Sequence, residues 1–269
     1  MTRPFRATAA ILAATGALVA CGSPDGLTIR QSGPTAETEF GIARPYGHGS
    51  AAVWVLTPKR GKVRSVVVYI HGWTATSPFL WHQAWFDHLL QGGSAVVFPV
   101  YQLTGGDEEF VTSPYDLRDG LRTGFKALGK RDLPVVVAGF SVGGALAFYY
   151  GADAGEWNVP RPRAVYSIFP SDPVLIDPGL VHLSGPSAVP TLILVGDKDT
   201  TVGRIGADTF WKWLTPVSPS LKTYRLLHSD PKGLWFDHEV VPTSEFDSRI
   251  RTVFWGPLDA LVSEARSAD

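Results

Sequence analysis

From about position 51 onward, short continuous apolar runs alternate with stretches whose apolar residues return at helical spacing. Residues 51–57 (AAVWVLT) and 65–70 (SVVVYI) read as strands joined by a turn over 58–62. Residues 79–90 have helical spacing, and 94–100 form another strand. The 65–70 and 94–100 runs are apolar almost without interruption, as strands covered on both faces are. Ser113-Pro114 offers an N-cap and a first-turn proline for a helix reaching about Leu128. A strand at 134–138, a helix at 144–150, strands at 164–169 and 191–195, a helix at 207–214 and a strand at 222–227 follow. The last element is a helix over 246–265, with a break expected at Gly256-Pro257. Strands alternating with helices imply parallel neighbours and right-handed crossovers, hence one three-layer α/β domain with a mostly parallel central sheet. In such sheets function gathers at the carboxyl ends of the strands.

The first 37 residues follow a different pattern. Arg3 and Arg6 precede an apolar run at 7–20, which ends in Leu18-Val19-Ala20-Cys21 before the polar Gly22-Ser23-Pro24-Asp25. The run is shorter than the ~20 residues that span a bilayer and suits a signal-peptide core. Its ending resembles the lipobox of bacterial lipoproteins, which implies lipid on the thiol of Cys21 and attachment to a membrane surface at the cell envelope. The expected organisation is a lipoprotein signal peptide at 1–20, a lipidated Gly/Ser/Pro/Thr-rich tether at 21–37 and the α/β domain at 38–269.

Composition narrows the function. The 269 residues are 45% hydrophobic and 18% charged, with 24 basic and 25 acidic side chains. Removal of 1–20 leaves 22 basic against 25 acidic residues and a formal charge of −3, so no basic field exists to hold nucleic acid. A single cysteine excludes an intrachain disulfide and a zinc site of paired thiolates. None of the seven histidines stands at paired metal-ligand spacing, so no metal is expected.

The chemistry-bearing segment is Gly139-Phe140-Ser141-Val142-Gly143-Gly144, between the apolar strand at 134–138 and the helix that follows. A sharp strand-to-helix turn lifts a serine hydroxyl above a sheet, and small flanking residues let the backbone pass closely. A serine hydroxyl needs an imidazole as base and a carboxylate to orient it. After the strand at 191–195, Gly196-Asp197-Lys198-Asp199 brings two carboxylates to a strand end; Asp199 is favoured, with Asp197 fixing the turn. Asp172, just beyond the strand at 164–169, is a competitor. For the base, His238 lies in a loop free to swing over the serine and is favoured over His228, which directly continues the last strand. The oxyanion requires donors, and Ile70-His71-Gly72-Trp73 ends a strand so that the Trp73 amide faces that of Val142, with His71 buttressing the turn.

The order of oxyanion loop, nucleophile elbow, acid and histidine resembles the α/β-hydrolase superfamily over residues 65–242. The resemblance implies a Ser141-Asp199-His238 triad, no cofactor, and hydrolysis of carboxylic esters through an acyl-enzyme. It departs from the family pattern where Lys232-Gly233 is followed by a longer approach to His238. Trp73, Phe79, Trp81, Trp85, Phe140, Trp235 and Phe236 belong to segments expected around the mouth, with apolar walls for a small-molecule or lipid-like ester. Only about twenty residues separate the strands at 164–169 and 191–195, too few for a large helical cap. Two other readings fit the same residues: an acyltransferase using the same triad, and a non-catalytic ligand-binding surface lipoprotein.

Overall fold

A computed structural model describes residues 29–129, 132–180, 183–231, 233–241 and 247–268. The signal-peptide and lipidation assignments, residues 1–20 and Cys21, lie outside the described residues, as does position 246, where the last helix was expected to begin.

Nine strands form one sheet: β1 (Ala36–Glu37), β2 (Gly41–Tyr46), β3 (Val53–Pro58), β4 (Ser65–Ile70), β5 (Ser94–Pro99), β6 (Val135–Phe140), β7 (Ala164–Ile168), β8 (Thr191–Gly196) and β9 (Lys222–Leu227). Their spatial order is β1-β2-β3-β5-β4-β6-β7-β8-β9. Strands β4 to β9 run parallel, and β1 to β3 extend one side in antiparallel register. Every residue of β4, β5, β6, β7 and β8 is buried, which accounts for their unbroken apolar runs.

Side chains alternate across the sheet as strand geometry requires. On one face Val66, Val68 and Ile70 pack under α2 (Glu109–Leu128), α3 (Val142–Asp153) and α4 (Ile205–Trp213). On the other, Val67 and Tyr69 meet α1 (Gln83–Gln91) and α5 (Ser248–Ser267). Between β7 and β8 the described residues form only two short 3-10 turns, Pro173–Leu175 and Pro178–Leu180, so the site has minimal cover.

Four departures from the sequence reading have physical causes. Helix α2 starts at Glu109 rather than Ser113, because the Glu109 carboxylate accepts the amides of Leu103, Thr104 and Gly105 at 2.8, 3.0 and 2.7 Å and holds the first turn. Pro114 then falls inside the helix; it leaves the Phe110 carbonyl without its amide donor, and the Ser113 hydroxyl donates to that carbonyl instead at 2.7 Å. Helix α5 runs unbroken through Pro257, whose interior position costs about 3 kcal/mol. Burial of Phe254, Trp255, Leu258 and Val262 against the sheet offsets that cost, at about 1.5–3 kcal/mol for each fully buried side chain. Finally, residues 31–37 of the segment read as tether lie along β2: Gln31 bridges Tyr46, Ser32 N–H donates to Pro45 O at 2.9 Å, and Ala36–Glu37 pair with β2.

Candidate active site

The carboxyl ends of the parallel strands carry the residues singled out from the sequence. At the end of β6 the chain turns sharply into α3 at Ser141, which adopts φ 58° and ψ −121°, a conformation unusual for a residue with a side chain. Its neighbours are glycines by necessity. A Cβ on Gly139 would fall on the Gly143 carbonyl, and one on Gly143 would fall on the carbonyls of Ile70 and His71. The cost of the strained turn is met by packing, since Ser141 N–H donates to Ile168 O at 3.0 Å and Ser141 O accepts Ser171 N–H at 3.1 Å.

Ser141 Oγ lies 3.0 Å from Nε2 of His238, and His238 Nδ1 lies 2.8 Å from Oδ2 of Asp199. The second oxygen of Asp199 accepts the amides of Thr201 and Val202 at 2.9 and 3.1 Å. The three residues are each about 7% exposed, and the Asp199 side chain is fully buried. Burial pushes the Asp199 carboxyl upward, but the hydrogen bond and charge of His238, with the two amides, outweigh it and hold the group below its ordinary 3.8. Asp199 is therefore ionised and accepts from the imidazole.

The competing residues are elsewhere. Asp172 caps a 3-10 turn by accepting Val174 N–H at 3.1 Å, and His228 is exposed at the end of β9. Asp197 is exposed and accepts both the amide and the hydroxyl of Ser229, at 3.0 and 2.5 Å. The hydroxyl of Ser229 in turn accepts Phe236 N–H at 2.9 Å, and Lys198 N–H donates to Phe236 O at 3.2 Å. Asp197 and Ser229 thus tie both ends of the loop that leads to His238 onto the end of β8. Ser229 was not recognised from the sequence; a serine in a polar loop carries no pattern to mark it.

Around the serine, the turn after β4 closes by a hydrogen bond from Ala75 N–H to Gly72 O at 3.1 Å. Gly72 sits against the elbow, where an added Cβ would lie 2.9 Å from the Phe140 ring and 3.4 Å from Ser141 Cβ. Among the described residues neither the Trp73 nor the Val142 amide donates to a protein acceptor. Val142 opens α3, where helix geometry leaves the first amides free. His71 stabilises this turn: its ring nitrogens lie 2.6 Å from Gly72 O and 2.7 Å from Val100 O, and the Tyr101 hydroxyl donates to His71 O at 2.7 Å. Burial drives the His71 imidazole down to about 4 against the pull of those carbonyls, so it is neutral at pH 7.

Comparison with solved structures places this geometry on a known scaffold. A cold-adapted esterase from an Arctic intertidal metagenomic library superposes with a TM-score of 0.65 at 16% identity, over 87% of this chain and 99% of its own. A carboxylesterase from Lactobacillus plantarum gives 0.62 at 12% identity, over 84% and 98%. Esterase B from Lactobacillus rhamnosis gives 0.60 at 20% identity, over 81% and 84%. The chain has the α/β-hydrolase fold. No protein-family model and no curated protein matches its sequence.

Within that α/β-hydrolase scaffold the aromatic residues expected at the mouth divide. The Phe140 ring stands 4.8 Å from that of His238, and Trp235 is 51% exposed. Trp85 belongs to the core instead, packed between Tyr69 and Trp255, because α1 turns that face onto the sheet.

Proposed function

We propose that the chain is a serine hydrolase of carboxylic esters that works through an acyl-enzyme. The observation that carries this reading is the hydrogen-bonded run from Ser141 Oγ through His238 to a buried, ionised Asp199. The fold is shared with proteins described as esterases, which supports esters as the substrate class.

In the first half-reaction Ser141 Oγ bonds to the ester carbon while its proton passes to Nε2 of His238. The carbonyl electrons move onto oxygen, where the free amides of Trp73 and Val142 donate to it; one such donor is worth about 3–4 kcal/mol. Collapse breaks the bond to the alkoxide oxygen, which takes the proton from His238 and leaves as the alcohol. Water then attacks the acyl-enzyme, gives its proton to His238, and collapse returns that proton to Ser141 and releases the acid. Asp199 keeps the ring in the tautomer with hydrogen on Nδ1 and stabilises the imidazolium. The site as read calls for no metal or cofactor.

The same proposal includes export and attachment to a membrane surface through lipid on Cys21, supported by the Leu18-Val19-Ala20-Cys21 ending after the apolar run. Mass spectrometry of the mature N-terminus tests it: acylated Cys21 is expected, and an unmodified thiol refutes it. For the enzyme reading, Ser141→Ala is expected to abolish hydrolysis of 4-nitrophenyl acetate. A variant as active as the parent would refute the assignment.

A further inference from the structure

Among the described residues, nine large apolar side chains are more than a third exposed. Each lies at one edge of the sheet. Leu80 follows β4, Leu103 follows β5, Val174 follows β7, Ile205 follows β8 and Trp235 follows β9, and the remaining four lie in the same connections or in the opening turns of α2. That edge is the carboxyl edge, which also carries Ser141, Asp199 and His238. The connections at the opposite edge contribute none among the described residues. A monomeric surface scatters such residues singly, so their concentration around one mouth marks a surface that meets something apolar.

The path of the N-terminal segment identifies the partner. Val53, the first residue of β3, pairs with Pro99 at the end of β5, so the start of β3 stands at the carboxyl edge. Tyr46 at the end of β2 pairs with Val53, and Gln31 bridges Tyr46. The N-terminal segment therefore joins the domain at the same edge as the exposed apolar residues and the triad. Nine residues lie between Cys21 and Gln31, and the roughly ten Cα–Cα steps from one to the other reach at most about 35 Å. A lipid on Cys21, as proposed above, would keep this edge within that reach of the bilayer. A second copy seated on the same residues would close the mouth, whereas lipid delivers substrate to it.

We infer that the carboxyl edge docks onto a lipid surface, with Leu80, Leu103, Val174, Ile205 and Trp235 inserted among the acyl chains. The substrate then reaches Ser141 from the bilayer as a long-chain acyl ester. This inference rests on the ester-hydrolase and lipid-anchor readings above, and the test separates them.

The full chain carries an environment-sensitive NBD label at Leu103→Cys or Ile205→Cys, with Arg60→Cys and Ser220→Cys as controls at the opposite edge. Each protein is bound to phosphatidylcholine vesicles. A blue shift and quenching by doxyl-lipid at 103 and 205, with neither at 60 and 220, is expected. Labels at 103 and 205 that stay as water-exposed as the controls on anchored protein overturn the inference. A blue shift without vesicles, accompanied by a dimer mass, also overturns it, because a second copy then covers the edge. A second label on Cys21 shows a free thiol and fails the anchor reading alone.

For function, a variant combining Leu80→Ser, Leu103→Ser, Val174→Ser and Ile205→Ser is expected to lose at least about 10-fold on 4-nitrophenyl palmitate held in vesicles. Its rate on soluble 4-nitrophenyl acetate is expected to stay within about 2-fold, since surface changes off the reacting atoms leave chemistry intact. Equal rates on both substrates relative to the parent overturn the inference. A parent that hydrolyses neither fails the ester reading, and the label positions still decide docking.

Discussion

Asp199→Asn isolates the one interaction that, in the proposed mechanism, makes His238 a base. The carboxylate uses one oxygen for the amides of Thr201 and Val202 and the other for His238 Nδ1, at 2.8 Å. In the variant the carbonyl oxygen stays with the two amides, because those groups only donate. The new NH2 then faces Nδ1 and converts it to an acceptor, so the ring proton moves to Nε2 and points at Ser141 Oγ, 3.0 Å away. A ring in that tautomer cannot receive the serine proton. The expected loss is about 10⁴ in kcat, or about 5–6 kcal/mol of barrier, with KM little changed. Stability is expected to move by about 1 kcal/mol, the worth of one exchanged hydrogen bond. Steady-state kinetics on 4-nitrophenyl acetate, alongside urea unfolding, reads both quantities. A variant within tenfold of the parent would refute the reasoning, and so would Asp172→Asn producing the larger loss.

Three other outcomes follow from the structure. His238→Ala is expected to remove activity while His228→Ala keeps it within about 2-fold, as an exposed strand-end residue should; kinetics on the two variants decides, and the reverse order contradicts the site. Gly143→Ala drives a Cβ into the Ile70 and His71 carbonyls and is expected to cost about 3 kcal/mol or more, read as a fall in urea midpoint; an unchanged midpoint contradicts the packing. His71 and His82 are both buried, with burial lowering them from 6.5 to about 4 and about 3, the latter helped by repulsion from His71. The unfolded chain therefore binds protons the folded one refuses, so stability is full above pH 6.5 and falls as pH drops toward 4, by about 3 kcal/mol for each ring. Unfolding midpoints that stay level from pH 7 to 4.5 would refute this.

The parts of this fold that were readable in the sequence are those where burial leaves no choice of residue. Strands β4 and β5 are covered on both faces and so are written as unbroken apolar runs. Gly139 and Gly143 are required by carbonyls that a side chain would strike. Asp199 and Asp197 are harder to tell apart in the sequence, because two carboxylates at one strand end differ in direction rather than in type. What escaped was decided by tertiary contacts. Strand β2 carries Arg44, Pro45 and Tyr46 at the half-buried end of an outlying strand, where the apolar alternation lapses. The start of α2 depends on a carboxylate reaching back four to six residues, and the continuity of α5 on a buried face that outweighs its proline. The sequence around His238 has the composition of a free loop, yet His238 is the buried first residue of a 3-10 turn, drawn in by the ties of Asp197 and Ser229.

The central claim is that Ser141 is an activated nucleophile. Treatment of the full chain with a fluorophosphonate, followed by peptide mass spectrometry, tests it most directly. One adduct on Ser141 is expected, absent from Ser141→Ala and strongly slowed in His238→Ala. No adduct, or an adduct on another serine with Ser141 unmodified, would contradict the account.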